Sequence, residues 1–234
     1  PVVRLKAPLE GTTVLKDQVL GEIIVENSNL DDFIILRSDK TPTYMLSVVV
    51  DDHNMHISDV IRGDDHLTNT FKQLQLYKLL NWKIPLFSHI PLIHGADGAK
   101  LSKRHGAESI LSYKAMGYLP EAVNNYLLKL GWGHGNSDIV SSEQAIKLFN
   151  LKGIGKSPAK FNKDKLNSLN SYYIKNLDNE KLNKIIICHY KSKSFSLSDI
   201  GILRLAKGMD GLKERAKNIN ELIEASEIYL NDTN

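Results

Sequence analysis

The chain has 234 residues, of which 42% are hydrophobic and 24% are charged, and its formal net charge is +3. This composition is typical of a globular protein with one or two domains, and the small positive charge permits a nucleic-acid or phosphate partner without requiring one. Cys188 is the only cysteine, which excludes an intrachain disulfide and a zinc site built from cysteines. Neither an apolar run of about 18 residues nor a signal peptide is visible, so we expect a cytoplasmic protein that does not span a membrane.

The first forty residues alternate between short apolar segments and polar turns. Alternating apolar and basic residues predict a half-buried strand at residues 2–7, and further strands are predicted at residues 19–25 and 31–36. Turn-forming residues separate these segments at residues 8–11 and 38–42. Short strands with a turn about every ten residues indicate a small antiparallel layer.

A nearly continuous apolar run follows at residues 45–50. Such a run is typical of a parallel strand that is buried on both faces, and Asp51 and Asp52 come directly after it. Because ligands bind beyond the carboxyl ends of strands in open α/β sheets, this strand predicts a ligand-binding edge. Tyr44 and Val48 would then lie on one face of the strand, although a tyrosine in this position is also typical of a packed core.

A second apolar segment, Val60-Ile61, runs directly into the polar sequence Arg62-Gly-Asp-Asp-His66. A helix is predicted after it, with Thr68 or Asn69 as the N-cap. The apolar residues of this helix recur at helical spacing and form one face: Leu67, Phe71, Leu74 and Tyr77.

Arg62 stands at the end of this second predicted strand. A guanidinium group cannot lose its charge, so an arginine in a partly buried place needs an anionic partner. Two kinds of partner fit equally well. One is a substrate carboxylate, and the other is a structural ion pair with Asp59, Asp64 or Asp65.

The next strand is predicted at residues 87–93, where Pro91 indicates an edge or bulged position. It leads through a glycine-rich turn into Lys100-Leu-Ser-Lys-Arg104, which carries three permanent cations within five residues. Cations so close together suit a polyphosphate, although a solvated basic turn has the same sequence. The succession of strand, helix, strand and basic loop predicts the second half of a doubly wound nucleotide-binding sheet.

Beyond this loop the sequence has a helical pattern. Helix starts are marked by N-cap residues, a capping box and a proline at a first helical position: Ser109, Pro120, Ser141-Ser-Glu-Gln144, Asp178 and Ser198. A last amphipathic stretch is predicted at residues 212–230, and the polar residues 192–196 are the best candidate for a linker. Cys188 lies beside isoleucines on a predicted helix, so we expect it in the core.

Three of these stretches together resemble the bacterial glutamyl-tRNA synthetases, a family of class I aminoacyl-tRNA synthetases. They are residues 44–52, the sequence Val60-Ile-Arg-Gly-Asp-Asp-His-Leu-Thr-Asn-Thr70, and the loop Lys100-Leu-Ser-Lys-Arg104, which resembles the family's KMSKS-type motif. Residues 117–126 and 130–132 resemble the stem-contact region of the same family. The resemblance favours phosphate binding by the loop over a solvated turn.

The resemblance implies roles for individual residues. Lys103 would contact the phosphates of ATP, with assistance from Lys100 and Arg104. The residues at the glutamate pocket would be Tyr44, Val48 and Arg62. The residues at the adenosine of ATP would be Asp65, His66, Leu92 and Ile93. The family commonly has glutamate at the position of Asp64, so no role is assigned to that residue.

The helical tail carries cations where the family's anticodon-binding helices begin. Lys213, Arg215 and Lys217 would bind tRNA there, and a solvated helix face is the alternative interpretation.

The resemblance also implies four segments in an α/β fold followed by an all-α part. Residues 1–43 would end an acceptor-stem-binding insertion, and residues 44–108 would form the second half of the doubly wound catalytic domain. Residues 109–176 would form the stem-contact region, and residues 177–234 would start a helical anticodon-binding domain. The family's His-x-Gly-His motif does not occur in the 234 residues, so we expect a partial chain that lacks the amino-terminal half and is inactive alone.

The implied activity is that of a glutamate–tRNA ligase, which activates L-glutamate with ATP and transfers it to the 3′ end of tRNA(Glu). Mg²⁺ would accompany ATP, this chain would hold no zinc, and the protein would be a monomer. A non-catalytic tRNA-binding fragment or paralogue is the main alternative. A relative that loads glutamate onto a modified anticodon base is disfavoured by the helices beyond Ser141, because such a relative lacks an anticodon-binding domain.

Overall fold

The computed structural model describes residues 1–101 and 109–231. The chain divides into a first unit, Pro1–Leu92 with Asn150–Ala159, and a second unit, Ile93–Phe149 with Lys160–Asn234. The first unit combines a sheet with helices, and the second is mainly helical, so the predicted α/β part followed by an all-α part is confirmed. The four segments implied by the resemblance stay a prediction. Within the described ranges, no helix is both long and apolar enough to cross a membrane.

The first unit is built on a four-stranded sheet. Its strands in chain order are β1 (Val3–Arg4), β2 (Thr12–Asp17), β3 (Gly21–Glu26), β4 (Ile34–Leu36), β5 (Asp59–Gly63) and β6 (Leu86–Ile90). β1 pairs with β4, and the other strands form the sheet in the order β3-β2-β6-β5. β2 and β3 are antiparallel, whereas β6 is parallel to both β2 and β5. The carboxyl ends of β5 and β6 therefore lie side by side.

Strand β2 lies outside the strands predicted from the sequence. Its buried positions include the polar residues Thr13 and Asp17, which hide the apolar alternation that marks a half-buried strand. The strand predicted at residues 19–25 corresponds to β3, but it begins too early. The Asp17 carboxylate accepts hydrogen bonds from the backbone of Val19 and Leu20, both at 2.9 Å, and so turns the chain between β2 and β3.

Helix α1 (Tyr44–Asn54) replaces the parallel strand predicted at residues 45–50, and that prediction is wrong. Six residues make only about one and a half helical turns, and periodicity in so short an apolar run does not distinguish a helix from a buried strand. Thr43 is extended, and its carbonyl accepts the first two backbone hydrogen bonds of the helix. Tyr44 and Val48 therefore lie one helical turn apart on the same face of α1.

The predicted helix after the polar sequence is α2 (Leu67–Leu79). Its buried side includes the predicted core residues Phe71, Leu74 and Tyr77. The N-cap is His66, not Thr68 or Asn69, because a turn of 3-10 helix over Asp64–His66 runs directly into α2.

Strand β6 lies inside the sheet, between β2 and β5, so the edge position predicted from Pro91 is wrong. The proline follows the last residue of the strand, and its missing N–H therefore removes no hydrogen bond from the sheet.

The second unit begins with the short strand β7 (Ile93–His94), and the short strand β8 (Ala159–Lys160) crosses the boundary between the units. Its helices are α3 (Ile110–Ala115), α4 (Pro120–Gly131), α5 (Ser142–Leu148), α6 (Lys163–Asn176), α7 (Asn179–Ser192), α8 (Asp199–Lys213) and α9 (Ile219–Leu230). The predicted caps and the helix-starting proline are confirmed: Ser109, Ser141, Asp178, Ser198 and Pro120. Helix α6 was not among the predicted helices, since polar residues dominate its sequence.

Helices α7, α8 and α9 share one core, which includes Leu182, Leu205 and Leu222. The predicted linker at residues 192–196 therefore connects two helices of the same unit and separates no domains. Cys188 is exposed on α7, so its predicted place in the core is wrong. The isoleucines beside it include the buried Ile186, but Cys188 lies on the other side of the helix.

Candidate active site

Arg62 lies near the carboxyl end of β5 and is the centre of the candidate site. Its guanidinium donates hydrogen bonds to four side chains: from Nε to His89 Nε2 (3.3 Å), from Nη1 to the Tyr44 hydroxyl (3.3 Å), and from Nη2 to Thr70 Oγ1 (2.6 Å) and Gln73 Oε1 (2.7 Å). The guanidinium carbon also lies 5.4 Å from the centre of the Phe87 ring. The elements that place these partners are α1, α2 and β6.

These partners orient Arg62 but do not neutralise it. Arg62 forms no ion pair with any residue in the described part of the chain, so a structural pair with Asp59, Asp64 or Asp65 is not formed. Burial lowers the pKa of Arg62, and the nearby Tyr44 and Asp52 oppose this effect. A guanidinium still keeps its charge at neutral pH, so the site presents a fixed cation to an anionic ligand.

His89 is the direct neighbour of Arg62 across the parallel strands β5 and β6. Its Nδ1 lies 2.7 Å from Asp17 Oδ2, and both side chains are fully buried. Burial alone would raise the pKa of Asp17, but hydrogen bonds from Leu20, His89 and Val19 outweigh it and hold this pKa below its usual value. Asp17 is therefore an ionised acceptor beneath the site.

Tyr44 joins Arg62 to His66. The Tyr44 hydroxyl lies 3.4 Å from His66 Nδ1, and Asn69 Nδ2 lies 3.3 Å from the same nitrogen. Tyr44 is 46% exposed, so its hydroxyl is open to solvent beside the guanidinium. Val48 lies one turn further along α1 and packs against the core of the first unit.

Gly63 brings the backbone close to two predicted adenosine residues. A Cβ at Gly63 would lie 2.6 Å from Asp65 Oδ1 and 3.4 Å from Leu92 Cδ2. The structure therefore brings Asp65 and Leu92 together beside Gly63, and His66 follows Asp65 on the same turn. Ile93, the remaining predicted adenosine residue, begins β7 in the second unit.

Asp52 and Tyr77 lie behind the site. Burial raises the pKa of Asp52, and burial together with the charge of Asp52 raises the pKa of Tyr77 to about 12. The Tyr77 hydroxyl is buried and makes no hydrogen bond within the described ranges.

In the second unit, residues 93–101 form a hairpin ahead of the basic loop. Leu101 N donates to Ile93 O at 2.9 Å, and the turn is made at Gly98, whose φ is +80°. Lys100 pairs with His94 across this hairpin. The other predicted phosphate-binding residues lie outside the described residues: Lys103 and Arg104.

The predicted tRNA-binding residues lie at the end of α8 and directly after it. Lys213 is mostly buried, and its Nζ lies 2.7 Å from Asn179 Oδ1. Arg215 and Lys217 are exposed.

No group of three or more His, Cys, Asp or Glu side chains that could hold a metal ion occurs within residues 1–101 and 109–231. The described residues therefore offer no ligand set for the magnesium expected with ATP, and the chemistry proposed below assigns it none.

The sequence analysis of single motifs missed Asp17, Thr70, Gln73 and His89 as members of this site. Two signals were available for three of them. Thr70 and Gln73 are polar residues three apart on the buried face of α2, and His89 is a histidine inside an otherwise buried strand. Each signals a polar group that needs a buried partner.

Comparisons with known proteins agree with this geometry. The family profile for tRNA synthetases class I (E and Q), catalytic domain, matches residues 1–168. A glutamate–tRNA ligase 2 of Paramagnetospirillum magneticum is 54% identical over 230 residues, which cover 98% of this chain and 48% of that protein. A glutamate–tRNA ligase 2 of Rickettsia akari is 49% identical over 233 residues, which cover 100% of this chain and 50% of that protein.

A solved structure of a glutamate tRNA ligase from Elizabethkingia meningosepticum, in complex with its amino acid, superposes with a TM-score of 0.88 at 30% identity. The match covers 99% of this chain and 49% of that chain. The chain therefore spans about half the length of the curated relatives and solved structures that it matches.

Proposed function

Because the chain belongs to the class I tRNA synthetases of the E and Q type, we propose that it is part of a glutamate–tRNA ligase. The observation that carries this proposal is the Arg62 guanidinium, which is oriented by neutral groups and has no ion-pair partner among the described residues. An oriented, uncompensated cation beside an exposed tyrosine hydroxyl is suited to bind a carboxylate of L-glutamate.

The proposed reaction has two steps. A carboxylate oxygen of glutamate attacks the α-phosphate of ATP, and the bond to pyrophosphate breaks. A hydroxyl at the 3′ end of tRNA(Glu) then attacks the activated carbonyl carbon, and AMP leaves. No side-chain nucleophile is needed, so this chain's residues bind, orient and stabilise charge.

The roles follow the resemblance unit by unit. In the first unit, Tyr44, Val48 and Arg62 would contact glutamate, and Asp65, His66 and Leu92 would hold adenosine. In the second unit, Ile93 would contact adenine, and Lys100, Lys103 and Arg104 would stabilise the leaving phosphates. Mg²⁺ would accompany ATP. We further propose a monomeric, cytoplasmic protein, in line with the four segments implied by the resemblance.

The test uses a hybrid ligase, in which this chain replaces the matching segment of a curated relative. We expect the hybrid to charge tRNA(Glu) with glutamate, and we expect the isolated 234 residues not to, because they cover only half of such an enzyme. A hybrid that folds but forms no glutamyl-tRNA would contradict the proposal. Such a hybrid that still binds tRNA would favour the alternative of a non-catalytic tRNA-binding paralogue.

Arg62→Lys in the hybrid tests the carrying observation. An ammonium cannot keep the contacts to His89 and Gln73 while it reaches a substrate, so we expect the KM for glutamate to rise about tenfold or more and the KM for ATP to change little. Equal damage to both substrates, together with a lower melting temperature, would show that Arg62 is a structural residue.

A further inference from the structure

A line of three side chains runs beneath the candidate site, from β2 through β6 to β5. Asp17 Oδ2 lies 2.7 Å from His89 Nδ1, and His89 Nε2 lies 3.3 Å from Arg62 Nε. Both Asp17 and His89 are completely shielded from solvent. Neither residue contacts the open side of the site, so this line can act on a substrate only through Arg62.

Hydrogen-bond chemistry determines the tautomer of His89. Arg62 Nε–H can only donate, so His89 Nε2 must carry a lone pair and accept. The proton of the imidazole is then on Nδ1, which donates to the carboxylate of Asp17. The opposite tautomer would place two N–H groups against each other at Arg62.

The orientation of Asp17 is fixed from several sides. Its Oδ1 accepts from the backbone N–H groups of Val19 and Leu20 at 2.9 Å, and its Oδ2 accepts from the backbone of His89 at 3.0 Å. A carboxylate that accepts this many hydrogen bonds holds one orientation and stays acceptor-only. The acceptor beneath His89 is therefore fixed.

The contacts of Arg62 show which part of the guanidinium is left for a ligand. Nε is used by His89, and both hydrogens of Nη2 are used by Thr70 and Gln73. Nη1 contacts only Tyr44 among the described residues, and this contact lies on the exposed side. A carboxylate is thus met by Nη1 and the Tyr44 hydroxyl, and the direction of Nη1 depends on the groups that hold Nε and Nη2.

We propose that Asp17 and His89 are positioning residues, which hold Arg62 so that Nη1 points at the substrate carboxylate. This inference rests on the proposed function of Arg62. Asp17 sets the tautomer of His89, and His89 sets the rotation of the guanidinium plane. The role is distinct from catalysis, because neither side chain reaches the reacting atoms.

The first test measures the His89 tautomer in the unmodified chain, by ¹⁵N NMR of protein labelled at histidine. We expect His89 Nδ1 to carry the proton and Nε2 to be unprotonated at neutral pH. A proton on Nε2 would overturn the proposal, whatever the activity of the hybrid. This measurement requires no variant that has to fold.

The second test compares two variants of the hybrid ligase. His89→Gln keeps an acceptor near the position of Nε2, whereas His89→Asn keeps only the part that faces Asp17. We expect His89→Asn to raise the KM for glutamate about tenfold or more and His89→Gln to raise it by less than about threefold, with little change in the KM for ATP.

The outcomes separate this inference from the proposed function. If the unmodified hybrid charges tRNA and His89→Asn leaves the KM for glutamate unchanged, the positioning role is wrong and the proposed function stands. If both variants lose glutamate and ATP binding equally, His89 is only a structural residue. An unmodified hybrid that forms no glutamyl-tRNA would overturn both.

Discussion

Lys213 Nζ lies 2.7 Å from the side-chain oxygen of Asn179, and only 16% of the Lys213 side chain is exposed. The same ammonium lies 3.4 Å from Asp210, so it joins the end of α8 to the start of α7. Arg215 and Lys217 follow on the exposed surface. The three predicted tRNA-binding cations therefore differ, and we expect Lys213 to stabilise the helical unit rather than to contact phosphate.

The double variant Arg215→Ala/Lys217→Ala should weaken tRNA binding by the hybrid ligase. Each lost phosphate contact should reduce the slope of log K against log salt by about one unit, so a loss of up to about two units is expected. Binding is measured over a series of salt concentrations. The matched control is Lys181→Ala/Lys184→Ala, which removes two exposed cations from α7. Equal effects of the two pairs would indicate general charge attraction, with no specific contact at Arg215 and Lys217.

Lys103→Ala in the hybrid should lower kcat far more than it raises the KM for ATP. A cation that stabilises departing pyrophosphate acts mainly in the transition state, and its loss should cost about 3 kcal/mol, or roughly a hundredfold in rate. Steady-state kinetics measure both constants. Lys184→Ala, on the exposed face of α7, is the control and should leave kcat unchanged. An unaltered kcat in Lys103→Ala would favour a solvated turn.

Gly117→Ala should destabilise the helical unit strongly. Gly117 has a φ of +81°, and a Cβ there would lie 2.8 Å from Asn220 N and 2.9 Å from Ile219 N. Gly135 also has a positive φ, of +61°, but a Cβ there meets nothing within 4 Å. We expect Gly135→Ala to cost about 1 kcal/mol and Gly117→Ala about 3 kcal/mol or more, because the second adds a clash with backbone. Denaturant unfolding of both variants measures the difference, and equal costs would contradict it.

Tyr77→Phe should remove a decline of stability at alkaline pH. The pKa of Tyr77 is raised to about 12 in the folded state from 10.0, so its contribution is fully present below pH 10 and is lost as the pH rises toward 12. Two pKa units correspond to roughly 3 kcal/mol. At neutral pH the variant should be as stable as the parent or slightly more stable, since it removes a buried hydroxyl without a partner in the described ranges.

Melting temperatures at pH 8 to about 11.5 test this expectation against Tyr172→Phe, a change at a tyrosine that is 43% exposed. Only Tyr77→Phe should show a flatter decline than the parent. A parallel decline in all three proteins would show that Tyr77 does not carry the alkaline sensitivity.

Local sequence chemistry predicted the helical unit well. Ser109, Ser141 and Asp178 cap helices that lie where the sequence places them, because a cap depends on residues within one turn of each other. The same local reasoning failed at residues 45–50, where an apolar run fitted both a strand and the observed helix.

The supporting residues of the candidate site could not be predicted in this way. Arg62 could be recognised as a cation in need of a partner, since charge and position are local properties. The contact between His89 and Asp17 joins residues that are 72 positions apart, and no short motif records it. Thr13 and Asp17 are buried polar residues in β2, so the strand that carries this contact was itself hidden from the pattern.

The position of β6 between β2 and β5 constrains how the chain can assemble during translation. β6 is the last of these strands to emerge from the ribosome, yet it occupies an interior place in the sheet. Until Ile90 has been synthesised, β2 and β5 each expose an unpaired edge, and such edges are open to pairing with other chains. The nascent protein thus depends on a chaperone, or on rapid elongation through α2, to protect two open strands at once.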